Sequence, residues 1–150
     1  MKTRFVTITL IALWGAVVAG TCRADDYAGV TSRKLLSTAT ASNGQKISYL
    51  ATDRPEVTAM VVELQPGGET GWHLHNAPVY AYVLSGSLDV EMADGRSYVF
   101  KQGDAIVEVQ NLAHNGRTVG NGPARLVVFY AGEQDRPNVV KVERPKRGLE

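Results

Sequence analysis

Turn-forming residues punctuate this chain every ~8–12 residues, and the short runs between them suit strands and little else. Glu56 to Leu64 (EVTAMVVEL) is a β-branched run stopped by Gln65-Pro66-Gly67-Gly68. Val79 to Leu84 and Leu88 to Met92 are apolar runs split by Ser85-Gly86-Ser87, and Ala93-Asp94-Gly95-Arg96 turns the chain into Ser97 to Phe100. Ala105 to Val109 follows, and Arg125 to Tyr130 (RLVVFY) comes after Gly120-Asn121-Gly122-Pro123. Upstream, Ser42-Asn43-Gly44-Gln45 carries the Asn-Gly pair that closes tight hairpins, so Val30 to Tyr49 reads as two short strands around it. No segment after residue 24 keeps a helical period for more than about one turn. The expected class is all-β, a sandwich or barrel in one domain.

The first 24 residues stand outside that pattern. Lys2 and Arg4 precede an uncharged run, Phe5 to Ala19, and small residues follow up to Cys22-Arg23-Ala24. A basic start, a short apolar run and small residues at a cut point describe a secretory signal peptide, with cleavage expected after Ala24. The run is shorter than the ~20 residues of a membrane span, so no stable span is expected. Thr21 is a poor residue ahead of a lipidated Cys22, which argues against a lipoprotein. The expected destination is the periplasm or the exterior. The organisation is then 1–24 signal peptide, 25–54 N-terminal strands, 55–132 barrel core, and 133–150 a charged tail read as a loosely docked end.

Charge and cysteine content narrow the function. Sixteen basic residues face fifteen acidic ones, and losing Lys2, Arg4 and Arg23 tips the remainder slightly acidic. That balance excludes a dedicated nucleic-acid binder, so no nucleic-acid partner is expected. Cys22 is the single cysteine, so any metal held by the mature chain takes nitrogen and oxygen ligands. The chain has three histidines, His73, His75 and His114. In a strand, the i, i+2 spacing of His73 and His75 puts both imidazoles on one face, ready to chelate a divalent ion. His114, in the turn-like stretch NLAHNG, needs the fold to bring it to the pair. The competing reading leaves each as an ordinary surface or hydrogen-bonded histidine.

These residues resemble the two motifs of the cupin superfamily. Gly67, His73, His75 and Gly86 fit G-(x)5-H-x-H-(x)3-E-(x)6-G, and Gly103 and His114 fit G-(x)5-P-x-G-(x)2-H-(x)3-N. Val109 and Asn111 stand where proline and glycine are usual, and Thr118 where asparagine is usual. The segment between the motifs, Ser87 to Gln102, matches the expected hairpin. The resemblance covers about residues 56–130 and implies a cupin-type jelly-roll β-barrel, a double-stranded β-helix. It also implies a metal site on His73, His75 and His114. The motif's metal-binding glutamate is replaced by Val79; Tyr80 would serve only with a one-residue shift. By this reading the site keeps three histidines at most.

Three functional readings follow. In the first, the histidines hold a divalent transition metal, Fe(II) by preference, and support oxygenase chemistry on a small organic substrate; Mn, Ni, Cu or Zn also suit the ligands. In the second, the cup is a non-catalytic small-molecule binder of the cell envelope. In the third, metal binding is lost with the glutamate. Glu63, Glu69, Glu91 and Glu108 are candidate bases or substitute ligands, with salt bridging the ordinary role of each. Glu69, four residues before His73, stands out. Glu69, Val79, Tyr80 and Gln110 are the candidate pocket or supporting residues, and Asn76, Gln110 and Asn111 could orient the imidazoles. Alternation sends Trp72 to the sheet face opposite His73, where core packing is expected. Asp104 reads as a turn cap. No nucleophile elbow, phosphate loop or placeable carboxylate pair is present. A homodimer is expected, with the face carrying Tyr80, Tyr82 and Leu84 contributing.

Overall fold

Alternating burial along the strands shows how the sequence closes on itself. The structure is a computed structural model describing residues 29–146, so the segment expected to be a signal peptide, with its expected cleavage point, lies outside the described residues. The chain divides into a unit ending at Arg33 and a larger one from Lys34 onward, and the fold below is that of the second. Among the described residues it contains nine strands: β1 (Pro55–Leu64), β2 (His73–Leu74), β3 (Val79–Ser85), β4 (Ser87–Met92), β5 (Ser97–Lys101), β6 (Ala105–Val107), β7 (His114–Thr118), β8 (Ala124–Glu133) and β9 (Val140–Lys141). One sheet runs β1-β8-β3-β6 and the other β5-β4-β7-β2-β9, with every pairing antiparallel. The architecture is the expected all-β jelly roll.

Along β3, Val79, Ala81 and Val83 are buried while Tyr80 and Tyr82 are not; along β8, Ala124, Leu126, Val128 and Tyr130 are buried. The period of two lets each strand turn one apolar row inward. These rows pack with Leu64, Leu88 and Ile106 into the main core. A side chain such as Val83, wholly buried, contributes about 1.5–3 kcal/mol by leaving water. The β4–β5 hairpin turns at Ala93 to Arg96, closed by Met92 N–H donating to the Arg96 carbonyl at 2.8 Å and by Asp94 Oδ1 accepting from Arg96 N–H at 3.0 Å. Asp104 Oδ2 accepts from Lys101 N–H at 2.9 Å, the turn-capping role expected of it.

The structure differs from the sequence reading in three places. The Asn43-Gly44 turn forms, with Gly44 N–H donating to the Ala41 carbonyl at 2.9 Å, but the flanking segments make only a Thr40–Lys46 bridge and no strands. They lack the inward apolar row a second sheet layer would need. His114 opens strand β7 instead of lying in a turn. The tail is not loose: β9 pairs with β2, and Val142 N–H donates to the Trp72 carbonyl at 3.0 Å.

Candidate metal centre

Strand register gathers the histidines. His73 on β2 is the direct cross-strand partner of His114 on β7, so the two imidazoles rise side by side, ring centroids 4.4 Å apart. His75, two residues beyond His73, turns to the same side and lies 4.8 Å from His73 and 5.0 Å from His114 by centroid. All three are buried.

The fourth member is Glu108, just past β6. Its N–H donates to the Val79 carbonyl at 2.9 Å, so it continues the line of β6 beside the position where the motif would carry its glutamate. Its carboxylate Oε2 lies 3.2 Å from His75 Nε2 and 3.3 Å from His114 Nε2. One donor atom from each of His73, His75, Glu108 and His114 lies within 4.8 Å of all the others. Donors around a single ion at ~2.1 Å stand ~3–4 Å apart, so a small inward movement completes a coordination shell. The expectation of three histidines without a carboxylate is therefore corrected: a carboxylate is present, supplied by the adjacent strand.

Hydrogen bonding determines which ring nitrogens face inward. His73 Nδ1–H donates to the Gly71 carbonyl at 2.8 Å, His75 Nδ1–H to the Asn138 carbonyl at 2.8 Å, and His114 Nδ1–H to the Leu112 carbonyl at 2.9 Å. A carbonyl can only accept, so all three rings carry their proton on Nδ1 and turn Nε2 toward the cluster. His114 Nε2 is buried with no hydrogen-bond partner, although Glu108 lies close by. A buried nitrogen lone pair without a donor, facing a carboxylate, is what a bound cation would satisfy. The residues fit a divalent ion.

The electrostatics agree. Burial dominates at His73 and, with His114 and His75 beside it, lowers its pKa to about 4, so the ring is a neutral ligand at neutral pH. At His75 burial works downward but is outweighed by Glu108, which raises the pKa and lets the ring take a second proton when no ion is present. Burial alone would raise the Glu108 carboxyl, yet contact with His114 and His75 holds it well below the usual range, so it stays ionised. Tyr130, 5.7 Å from His75 by ring centroid, is pushed up by burial and by the Glu108 charge and remains a phenol.

The other sequence candidates fall outside the cluster. Glu69 is exposed and accepts from Asn115 Nδ2 at 2.8 Å. Gln110 joins the barrel to the N-terminal turn: its N–H donates to Gln45 Oε1 and its carbonyl accepts from Gln45 Nε2, both at 2.9 Å. Val79 belongs to the core, and Tyr80 turns to the outer face of its sheet. Asn76, Gln110 and Asn111 do not orient the imidazoles; the backbone carbonyls of Gly71, Leu112 and Asn138 do. Trp72 is on the face opposite His73 as expected, but it packs beneath Arg144, whose guanidinium lies 5.9 Å from the ring centre, and not in the core. Glu63 pairs with Arg125, and Glu91 with Arg117 and Arg144.

The four residues border a cavity of about 70 Å³ between the sheets, walled by apolar side chains that include Val62, Leu64, Leu88, Val90, Phe100 and Leu126. Fold and donor set together define a class: a double-stranded β-helix with three histidines and one carboxylate converging inside the barrel. Residues 60–130 match the Cupin domain family, so this stretch of the chain is a cupin domain. Among solved structures, the DMSP lyase DddQ from Ruegeria pomeroyi DSS-3 is 21% identical, with a TM-score of 0.52 over 69% of this chain and 49% of its own. The oxalate decarboxylase of Lactobacillus farciminis, in a formate complex, is 22% identical with a TM-score of 0.50, over 57% of this chain and 26% of its own. A single-substitution variant of the oxalate decarboxylase of B. subtilis is 20% identical with a TM-score of 0.50, over 60% of this chain and 25% of its own. The chain thus spans between a quarter and a half of these proteins, and the likeness is one of fold. No curated protein sequence matches it.

Proposed function

We propose that this protein is a metal-dependent cupin in which His73, His75, His114 and Glu108 hold one divalent first-row ion, Fe(II) by preference, against a small apolar cavity. The observation that carries the reading is the convergence of three Nδ1-protonated imidazoles and one ionised carboxylate. Four protein ligands leave two positions of an octahedral shell open. A bound ion would supply Lewis acidity and, as iron with dioxygen as co-reactant, oxidative chemistry. The chain's own contribution is to hold three neutral nitrogens and one negative oxygen in place, to exclude bulk water with apolar walls, and to keep Tyr130 protonated as a donor beside the site. The cavity of about 70 Å³ has room for only a few water-sized positions beside the ion. The fitting ligand is therefore a small organic molecule with an oxygen-bearing head for the ion and a short apolar body.

The test is the metal content of residues 25–150, purified without chelator or affinity histidines, beside His75→Ala. Near one equivalent of a single ion, lost in the variant, supports the site; oxygen uptake with Fe(II) and candidate substrates then tests turnover. No metal, even after anaerobic reconstitution with Fe(II), Mn(II), Ni(II), Cu(II) and Zn(II), would overturn the reading. A ligand that raises the melting temperature and is recovered unchanged would favour the non-catalytic binding cup.

Two further properties belong to this proposal. The pattern of Lys2, Arg4 and the apolar run Phe5 to Ala19 supports export, and among the described residues no helix is long and apolar enough to cross a membrane. Intact mass of the exported protein should correspond to a chain starting at Asp25; retention of residues 1–24 would count against export. The outer face of the β1-β8-β3-β6 sheet supports a homodimer. Val57 and Val61 on β1 align with Ala131 and Val127 on β8, and Phe129 with Tyr80 on β3; Val57, Val61 and Phe129 are 69%, 58% and 44% exposed. A solvated sheet face normally carries polar residues, whereas this apolar one suits a second copy. Light scattering at micromolar concentration should give a dimer, and Phe129→Glu a monomer. A monomeric wild type would end the idea.

A further inference from the structure

We infer that the C-terminal strap, residues 138–144, is a working part of the metal centre: it positions His75 and His73, and the Arg144–Glu91 pair latches it in place. The inference rests on the metal-binding reading above. The strap reaches the site at two points. The Asn138 carbonyl accepts from His75 Nδ1–H at 2.8 Å, which holds the ring with Nε2 inward. Strand β9 pairs with β2, Lys141 opposite His73 and Val140 opposite Leu74, so it supports the two-residue strand that carries His73. Such a short strand has little stability of its own and depends on its neighbours, β7 on one side and β9 on the other.

Three attachments keep the strap there. At its start, Asn138 Nδ2 donates to Thr58 Oγ1 on β1 at 3.0 Å, and Gly132 leaves room for this side chain, since a Cβ at 132 would lie 3.0 Å from Asn138 Oδ1. Further along, Val142 N–H donates to the Trp72 carbonyl at 3.0 Å. At its end, Arg144 lies over the Trp72 ring and donates through Nη2 to the buried Glu91 Oε1 at 3.3 Å. The strap therefore runs from one sheet to the other, and it meets two of the four ligands, His75 at Asn138 and His73 at Lys141. Of the three imidazoles, only His75 takes its orienting acceptor from far along the chain, 63 residues away; His73 and His114 each use a carbonyl two residues back. An outer hydrogen bond of this kind orients the ring and raises its basicity toward an ion.

The full chain tests this through two substitutions that leave every ligand and the Asn138 carbonyl in place. Val142→Pro removes the donor to Trp72, and Arg144→Gln removes the latch charge. Co(II) is titrated into the metal-free wild type, each variant and the pair, with Zn(II) competition for affinity, Co(II) visible absorption for ligand geometry, and hydrogen exchange to follow release of residues 138–144. In the double variant the strap amides should lose protection, Co(II) affinity should fall by about 10–100-fold, the range for losing an outer partner of a ligand, and the absorption should change in shape. Arg144→Lys, which keeps the latch charge, should hold more of the affinity than Arg144→Gln when each is combined with Val142→Pro. Released strap amides with unchanged affinity and spectrum would overturn the inference while leaving the metal site standing. Protection that survives both substitutions would overturn the latch. A wild type that takes up no metal would overturn the reading on which the inference rests.

Discussion

Glu108→Ala weakens binding of a divalent first-row ion by more than the ~10–100-fold that follows loss of an outer-layer partner, because it removes a donor atom and the one negative charge in the cluster. The carboxylate is held ionised by contact with His114 and His75, so its negative charge is present throughout the neutral range. Glu108→Gln keeps the size of the side chain and separates the two losses: an oxygen donor remains while the charge goes, so its affinity should fall between wild type and alanine. A sharper version exploits the Glu108 N–H to Val79 carbonyl bond. Positions 108 and 79 are neighbours across two strands, so Val79→Glu combined with Glu108→Val should recover much of the affinity that Glu108→Val loses alone. Competitive chelator titration measures all of these. The rise in melting temperature at saturating metal reports the same ranking, since an ion that binds only the folded state stabilises it by an amount set by its affinity. Wild-type affinity in Glu108→Ala would remove Glu108 from the ligand set and return the site to three histidines.

That result also bears on what was legible in the sequence. The barrel was readable because its signals are local: glycine-rich turns and the inward row Val79, Ala81, Val83 each sit within one strand or loop. The histidines were readable for the same reason, two of them at strand spacing and the third on a motif position. Glu108 is one of four candidate glutamates in the sequence, and Glu69 stands out among them because it precedes His73 closely. The signal for Glu108 was a charge on the inward row of an apolar strand, sharing with Ile106 the face that borders the cavity. What spacing along one strand cannot reveal is that its neighbour across the ladder is Val79. Strand β7 (HNGRT) carries no apolar alternation to mark it in the sequence; pairing with β4 and β2 makes it a strand. Strand β9 was hidden in the charged tail for a similar reason. Asn111 shows a departure that the fold absorbs: it stands where the motif has glycine and adopts a φ of +54°, a left-handed conformation that asparagine tolerates better than most side chains.

Gly86→Ala should be among the most destabilising single-methyl changes in the molecule. Gly86 joins β3 to β4 with a φ of +75°, and an added Cβ would lie 2.2 Å from the Pro123 carbonyl oxygen and 2.9 Å from Ala124 Cα. Both are backbone atoms, so no side chain can swing aside. Relief requires moving the loop that delivers the chain into β8, and β8 pairs along its length with β1 and β3. Any retreat of Pro123 is therefore resisted by the central ladder of that sheet. The left-handed backbone costs an L-residue ~1–2 kcal/mol and overpacking ~1–3 kcal/mol, for a total of about 2–5 kcal/mol. Against the ~5–15 kcal/mol typical of whole domains, that is a large share, and the melting temperature should fall by roughly 10 °C or more. Gly95→Ala supplies the comparison. Gly95 has a φ of +83° in the β4–β5 turn, but nothing lies within 4 Å of its would-be Cβ, so it bears the backbone cost alone. Thermal or urea unfolding of the two variants isolates the contact with Pro123. If they prove equally destabilised, the close approach at Gly86 is relieved by loop movement at no cost, and this glycine serves only the turn.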